Sequence, residues 1–544
     1  MHTRPALRLA GWAGARLSPL LRQSGWIANP AVLGTESVER GIAAAMVAVP
    51  AAAISYFLVS PLGALLVLVP LLAFVTPELE VRDRVARRRE GVERELPFFS
   101  VVVNVLAEAG VPLYSILCDL ASSDLFAAMK KEAMLVRRDV TVFGMNPNDS
   151  IERLASSHPS GKFADFLLGY TSKVRSGGDV ALYLAGESGA LLRGLEDGWA
   201  RYTDRVGIIG SMMITTFGVV PLLVTVVGVF SPNFSVVGLL VFTGLGVPLV
   251  TIGLLYMAGR MQPMREEPVR GEGARSLLLA LPGALVGYLI GGAWVSAGAA
   301  LVIFLASYGL SVRGQIAESR AIEAGLARFL KDLLEYKRQE YDLTRAILAV
   351  HETAKYNPRF TKLLARVVSQ LRAGVPLDEL SVECRSGLGR VAFLLLGQMS
   401  RSGGGTVDTV FQISSFADRM TEMKRNVADE MKPYVFLSYL SPLLLAFGIT
   451  FVGDVLSSFN GVSHITVGGL HIGSGQGPSP IPLTQVSDVL IVVSAASLGL
   501  IGAKITDFTV RSTLKAAANV ALAVVAIALI PVIFSHGFPL FPKS

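Results

Sequence analysis

The sequence predicts an all-α, multi-pass membrane protein with two repeated helical bundles outside the bilayer. Three observations predict it. About nine stretches carry no Lys or Arg and approach the length of a membrane span, which is about 20 mostly apolar residues. All but one of the 49 Lys and Arg residues fall in the five segments between those stretches. The two longest of these segments repeat each other. Composition points the same way: 52% of the 544 residues are hydrophobic and only 17% are charged, where a soluble domain has about 25%. Disorder needs the opposite balance. Two cysteines, Cys118 and Cys384, build neither a disulfide framework nor a Cys-rich zinc site.

The elements follow in chain order. Residues 1–41 hold Arg4, Arg8, Arg16 and Arg22 among Leu7, Trp12, Leu17, Leu20 and Leu21. The arginines exclude a cleavable signal, and the mixture suits a helix on the inner membrane surface, or a frayed tail. Apolar runs 42–60 and 61–77 meet at Ser60-Pro61. They are short for two full spans, so two spans and a shallow re-entrant hairpin both stand. Charged residues then fill 78–206. Spans 207–230 and 234–258 form a hairpin around Ser231-Pro232-Asn233. A charged loop at 259–275 leads to a second hairpin, 276–292 and 294–312, turning at Gly291-Gly292-Ala293. The second charged domain is 313–432. A span at 433–456, a Gly/Ser/Pro-rich loop at 457–483, two spans within 484–535 and a tail at 536–544 complete the chain.

Charge sets the expected orientation. Segments 1–41, 78–206, 259–275, 313–432 and 504–515 all fall on one side of nine crossings. Lys and Arg favour the cytoplasm, so the expectation is a plasma-membrane protein with its N-terminus inside and its C-terminus outside. The formal charge of +7 is then topology, and nucleic acid loses its support as a partner.

The two domains share a grammar. Leu96-Pro97-Phe98-Phe99 and Leu326-Ala327-Arg328-Phe329 each start an apolar helical pattern. Phe166-Leu167-Leu168 leads to Ser176-Gly177-Gly178-Asp179, and Phe393-Leu394-Leu395 leads to Gly403-Gly404-Gly405-Thr406, at a constant offset of 227 residues. Gly177, Gly178, Gly404 and Gly405 end one helix, and Asp179 and Thr406 cap the next. Those next helices, 180–206 and 407–432, run straight into membrane spans. No period-2 strand pattern appears in either domain.

No catalytic, cofactor or metal site is predicted. Ser160-Gly161-Lys162 lacks the glycine and hydroxyl residues of a phosphate loop, and His351-Glu352 lacks the second histidine of a zinc-protease helix. His464 and His471 have no Cys or carboxylate nearby. Ion-coupled transport needs ionisable groups at mid-membrane. The spans offer only Asp454 and Asp488, both near outer ends, so a transporter with regulatory helical domains is the runner-up reading.

The layout resembles the type II secretion F-domain family, the polytopic platforms of type IV pili, archaella and related secretion machines. The resemblance rests on Leu96-Pro97-Phe98-Phe99 with Ala109-Gly110-Val111-Pro112-Leu113, on Ser176-Gly177-Gly178 opening a long helix, and on Phe393 to Val407 with Met431-Lys432-Pro433-Tyr434. Two such domains and nine spans are similar to the archaeal branch. The copies depart where Tyr336-Lys337-Arg338-Gln339-Glu340-Tyr341 stands for Leu106-Ala107-Glu108-Ala109-Gly110-Val111, which argues against equal roles. The resemblance implies a non-enzymatic platform, expected to dimerise, on which a cytoplasmic hexameric secretion ATPase docks and through which pilin or archaellin subunits pass. ATPase-docking candidates are Lys173, Arg175, Arg401, Arg419, Lys424 and Arg425, with a solvated helix face as the plain alternative for each. Gly283, Gly287 and Gly291, four residues apart, are candidates for subunit docking or for close helix packing.

Overall fold

The computed structural model describes residues 4–26, 28–58, 68–108, 110–122, 126–230, 236–263, 271–380, 382–401, 406–459, 465–467, 470–472 and 483–537. The breaks at Ser60-Pro61 and Ser231-Pro232-Asn233, the Gly404-Gly405 pair, and much of 457–483 and of the tail lie outside them. The chain forms two compact units, Met1–Arg193 with Arg401–Gly405, and Gly194–Ser400 with Thr406–Ser544.

In the first unit, α1 (Arg4–Ser24) packs along α2 (Pro30–Leu58), and both meet α3 (Leu68–Glu108). Gly34 makes the first contact possible, because a side chain there would collide with the Ala10 carbonyl. Leu17 and Leu21 of α1 are buried with Leu33 and Val81. Leu17 and Leu21 of the N-terminal helix are therefore covered by α2 and α3, whereas Trp12 stays exposed. Burial also supplies the order that a frayed tail would lack.

Domain 1 continues with α4 (Leu113–Ser122), α5 (Ala127–Thr141), α6 (Pro147–Ser157) and α7 (Gly161–Ser176). Phe99, Phe163 and Phe166 pack edge-to-face in its core, with ring centroids 6.0 to 6.4 Å apart. Asn146 and Ser160 cap α6 and α7 with their own side chains. Helix α5 begins after Phe126, which offers no side-chain cap. Glu95 of α3 replaces it, accepting the Ala128 and Met129 N–H groups at 3.0 and 2.8 Å.

The second unit holds the bulk of the membrane helices. Helix α8 (Val180–Ile214) starts in the first unit and passes through a π-helical turn at Thr215–Val219 into α9 (Val220–Phe230). Then come α10 (Val236–Val241), a second π turn at Phe242–Gly246, and α11 (Val247–Met261). The helical run α12 (Gly273–Arg338) is not one rod. Ser296 Oγ donates to Ala284 O at 2.7 Å, whereas twelve residues of straight helix would separate them by about 18 Å. The run folds back on itself, then continues into domain 2 with α13 (Leu343–Thr353), α14 (Pro358–Arg372) and α15 (Gly387–Arg401). Phe329, Phe360 and Phe393 form its aromatic core, with Phe329 5.7 and 6.0 Å from the other two. Last are α16 (Val407–Phe459), α17 (Leu483–Thr506) and α18 (Leu514–Gly537).

Among the described residues, six helices are long and apolar enough to cross a membrane: Val180–Val227, Gly238–Met261, Ser296–Arg338, Val407–Val452, Gln485–Thr506 and Leu514–Phe534. Gly273–Leu285 is a shorter apolar helix. Candidates 42–60 and 61–77 run into residues outside the described ones. The chain is thus a helical, multi-pass membrane protein. Helix α17 is its central span, with 67% of its apolar window buried inside the protein against 22–33% for the other five. Neutral polar pairs cross this core: Thr251 to Ser497 at 2.8 Å and Asn519 to Ser438 at 3.3 Å. A two-stranded hairpin, Ile465–Val467 with Leu470–Ile472, lies in the 457–483 loop.

Candidate functional site

A long helix leaves each domain, and its start is built the same way in sequence and structure. Helix α7 ends on Gly177, whose φ of +66° lets its N–H turn back to the Lys173 and Val174 carbonyls. Asp179 then accepts the Leu182 N–H at 2.9 Å and opens α8. Thr406 accepts the Thr409 N–H at 3.2 Å and opens α16.

Within the second unit these two helices run side by side and parallel. Arg419 of α16 donates to Glu196 of α8 at 2.7 Å. About three turns further along, Gly207 faces Glu430, and Gly210 sits so close to Tyr434 that a Cβ would lie 2.5 Å from its ring. Gly218, in the π turn, faces Ser441, and Gly448 accommodates Leu222. The contacts keep a register of 223 to 226 residues, close to the repeat offset, so nearly equivalent positions of the two copies meet. The glycines permit close backbone approach, the device that holds helices together in lipid. The π turn re-phases the first stem against the second.

At the base of these stems a second cluster ties four elements together. Trp199 and Tyr202 of α8 are buried, and Trp199 meets Phe508 edge-on at 5.7 Å. Phe508 lies in the 507–513 turn between α17 and α18 and holds a left-handed φ of +56°, which a large side chain adopts only when its surroundings impose it. Its neighbour Asp507 receives Arg320 of α12 at 2.6 Å, Ser512 at 2.6 Å and Lys515 at 3.2 Å. Burial pushes the Asp507 carboxyl up, but Lys515, Ser512 and Arg320 more than offset it, and the group lies below its ordinary value. Lys504 bridges Gln262, after α11, to the Phe508 carbonyl at 2.9 and 3.2 Å. The turn therefore ties the first stem, the end of α11 and helix α12 to the central span.

Among the described residues no group of three or more His, Cys, Asp or Glu could hold a metal ion. The profile of the type II secretion system (T2SS), protein F family matches residues 99–228 and 322–453, each match holding one domain and its stem. The chain is a type II secretion F-domain protein. Proteins of this family are non-enzymatic membrane platforms that work with a secretion ATPase. An uncharacterized protein of Methanocaldococcus jannaschii is 20% identical over 401 residues, covering 65% of this chain and 67% of that protein. No solved structure matches.

The sequence-derived candidates of this F-domain protein separate by environment. Lys173 is exposed beside the Gly177 turn, and Arg401 is exposed at the end of α15. Arg175 is exposed but engaged by Glu152 at 2.5 Å. Arg425 is exposed and lies 3.6 Å from Asp429. Arg419 is spent on the stem pair with Glu196. Lys424 is not surface charge: its side chain is 14% exposed and is held by Glu323 at 2.9 Å. The apolar periodicity of α16 is too regular to show that this lysine points inward. Of the glycine stripe, Gly283 packs on Ile303 inside the α12 hairpin, where any side chain would collide. That makes it a packing residue. Gly287 is buried too, and the surroundings of Gly291 lie outside the described residues.

Sequence reasoning did not single out Glu196, Trp199, Arg320, Asp507 or Phe508. Asp507 carried the one available signal, as the only acid in the 504–515 segment.

Proposed function

We propose that this F-domain protein is the assembly platform of a type IV filament or related secretion machine, with domains 78–206 and 313–432 in the cytoplasm and the C-terminus outside. A hexameric secretion ATPase docks on the domains, and pilin- or archaellin-like subunits are delivered along the membrane helices. Lys173, Arg175, Arg401 and Arg425 remain the exposed basic candidates for the ATPase contact, and the platform works as a homodimer. One observation carries the reading: the stems α8 and α16 run unbroken from their domains into the bilayer and interlock at Gly210 and Tyr434. A displacement imposed on either domain is then passed to the other stem and to the membrane core instead of being absorbed by a flexible joint. The charge asymmetry of the sequence supports the orientation.

The test is Gly210→Leu, which wedges the stems apart. The expected result is a variant that still inserts in the membrane and still recovers the ATPase in pull-down, yet produces no surface filaments by electron microscopy. Normal filaments in that variant would remove the coupling role. Normal filaments in a deletion strain would remove the platform reading as a whole.

A further inference from the structure

Beyond any platform role, the first unit contains a polar cavity of about 220 Å³ between the end of α1 and the outer face of domain 1. Four arginines line it, Arg22, Arg88, Arg138 and Arg153, together with Asp139 and Trp26. Arg88 is fully used: it holds Glu132 through two nitrogens at 2.8 and 2.5 Å and the Gln23 carbonyl through the third at 2.8 Å. Arg138 and Arg153 share the buried Asp139, at 2.7 and 3.7 Å. Arg22 pairs with no carboxylate among the described residues. Three guanidinium groups thus converge against one carboxylate, leaving an excess of two positive charges around the hollow. Like charges held together cost energy unless an anion compensates them, and guanidinium forks match phosphate oxygens two at a time.

The height of the cavity separates the two sources of phosphate. Twelve residues of α2 lie between Pro30, just past the Gly25–Trp26 wall, and the apolar stretch that starts at 42, a rise of about 18 Å. Eleven residues of α3 separate Arg88 from Pro77 at the end of the other apolar stretch, about 17 Å. The headgroup layer on one side of a bilayer is only about 5–8 Å deep. Lipid headgroups therefore stop short of the arginines. We infer that Arg22, Arg138 and Arg153 form a binding site for a soluble phosphate-bearing anion no larger than a small phosphate monoester. The volume is below that of the usual drug-sized pocket, about 300 Å³ and more. Asp139 aligns two of the three guanidinium groups, and those two neutralise it in turn. In domain 2 the short turn at Leu377–Glu379 stands where α6 closes the cavity in domain 1.

The experiment titrates the full-length protein, in nanodiscs of zwitterionic lipid, with inorganic phosphate, pyrophosphate and AMP by calorimetry. Binding of at least one of these is expected. Arg22→Gln with Arg153→Gln should weaken it by about tenfold or more, as expected for lost charge-assisted hydrogen bonds. Arg22→Gln alone should weaken it less. That single change lies at an exposed side chain and keeps the comparison valid if the double variant melts early. Lys362→Gln, an exposed cation in domain 2, should leave binding unchanged. No binding at millimolar anion, equal binding by the double variant, or binding seen only when phosphatidylglycerol is added to the nanodisc would each overturn the inference. None of these results bears on filament assembly, so the platform reading is tested separately.

Discussion

Domains 1 and 2 solve the same folding problem with different residues, and the differences show which parts of the F domain are fixed by geometry. The first helix of each ends in the same reversal. In domain 1 Gly110 takes the left-handed position, with φ +79°. In domain 2 Glu340 takes it, with φ +65°. The backbone bonds match: Val111 N–H reaches Leu106 O at 3.0 Å, and Tyr341 N–H reaches Tyr336 O at 3.3 Å. The strained glutamate is held by the Tyr336–Tyr341 ring contact at 5.5 Å, where domain 1 has Leu106 and Val111. The sequence departure at 336–341 is thus a change of side chains on an unchanged turn.

A second exchange couples three positions. Domain 1 has Glu95, Phe126 and Met129, and domain 2 has Gly325, Asn357 and Phe360 in the corresponding places. Asn357 caps α14 locally, accepting the Phe360 N–H at 2.9 Å. No long-range carboxylate is needed, and the glycine leaves room for the Phe360 ring. A third feature is shared. Ser160 donates to Glu93 at 3.0 Å, and Ser386 donates to Glu323 at 3.2 Å, each serine also capping the helix it precedes. Domain 2 adds Lys424 to that latch. Shared capping with exchanged core residues is the mark of one fold maintained by two separately adapted cores.

The comparison can be broken most severely at the latch. Lys424→Met leaves Glu323 buried without its charge partner, and should cost about 3 kcal/mol or more of domain 2 stability. Asp197, which stands at the repeat-equivalent position of α8, should tolerate Ala within about 0.5 kcal/mol. Hydrogen exchange of the α12 and α16 amides reads the first, and an equal, small effect at both sites would show that the latch is no different in the two copies. Next, Gly325→Ala should cost about 1–3 kcal/mol by overpacking Phe360. Adding Phe360→Met, the domain 1 residue, should recover most of it in thermal melts, and failure to recover would break the three-way exchange.

Glu95 sharpens the comparison through pH. Burial raises its carboxyl above the ordinary 4.5, against the lowering effect of the Met129, Ala128 and Ala127 N–H groups. A folded pKa above the unfolded one means that the folded state binds the extra proton, so this group's contribution falls as pH rises from about 4.5 through the raised value. Glu95→Gln should remove that slope from a denaturation-versus-pH series on domain 1. An unchanged slope would place its origin elsewhere. The smallest effect is at the turn. Glu340→Gly relieves a left-handed residue, and should stabilise domain 2 by about 0.5–1 kcal/mol, read as a higher melting temperature. A loss of stability would mean that Tyr336 and Tyr341 do not carry the turn as described.

Much of this was legible in the sequence because it depends on local rules. Apolar runs without charge require membrane helices, Gly177 and Asp179 require a helix end and a helix start, and the 227-residue offset requires a repeat. The sequence alone therefore determined a helical multi-pass protein with two equivalent domains leading into stems. Tertiary structure decided which charges are free. Arg419 and Lys424 look as exposed as Arg425 in a helical pattern, yet Glu196 and Glu323 lie 223 and 101 residues away and occupy them. It also decided that Gly283 is packing, that Leu17 and Leu21 of α1 are covered by protein, and that Phe508 and Trp199 meet at the base of the stems. Helix propensity and capping act over a few residues and can be read from a window of sequence. The pairing of side chains brought together by folding depends on where whole helices cross, and that is fixed only when the cores close.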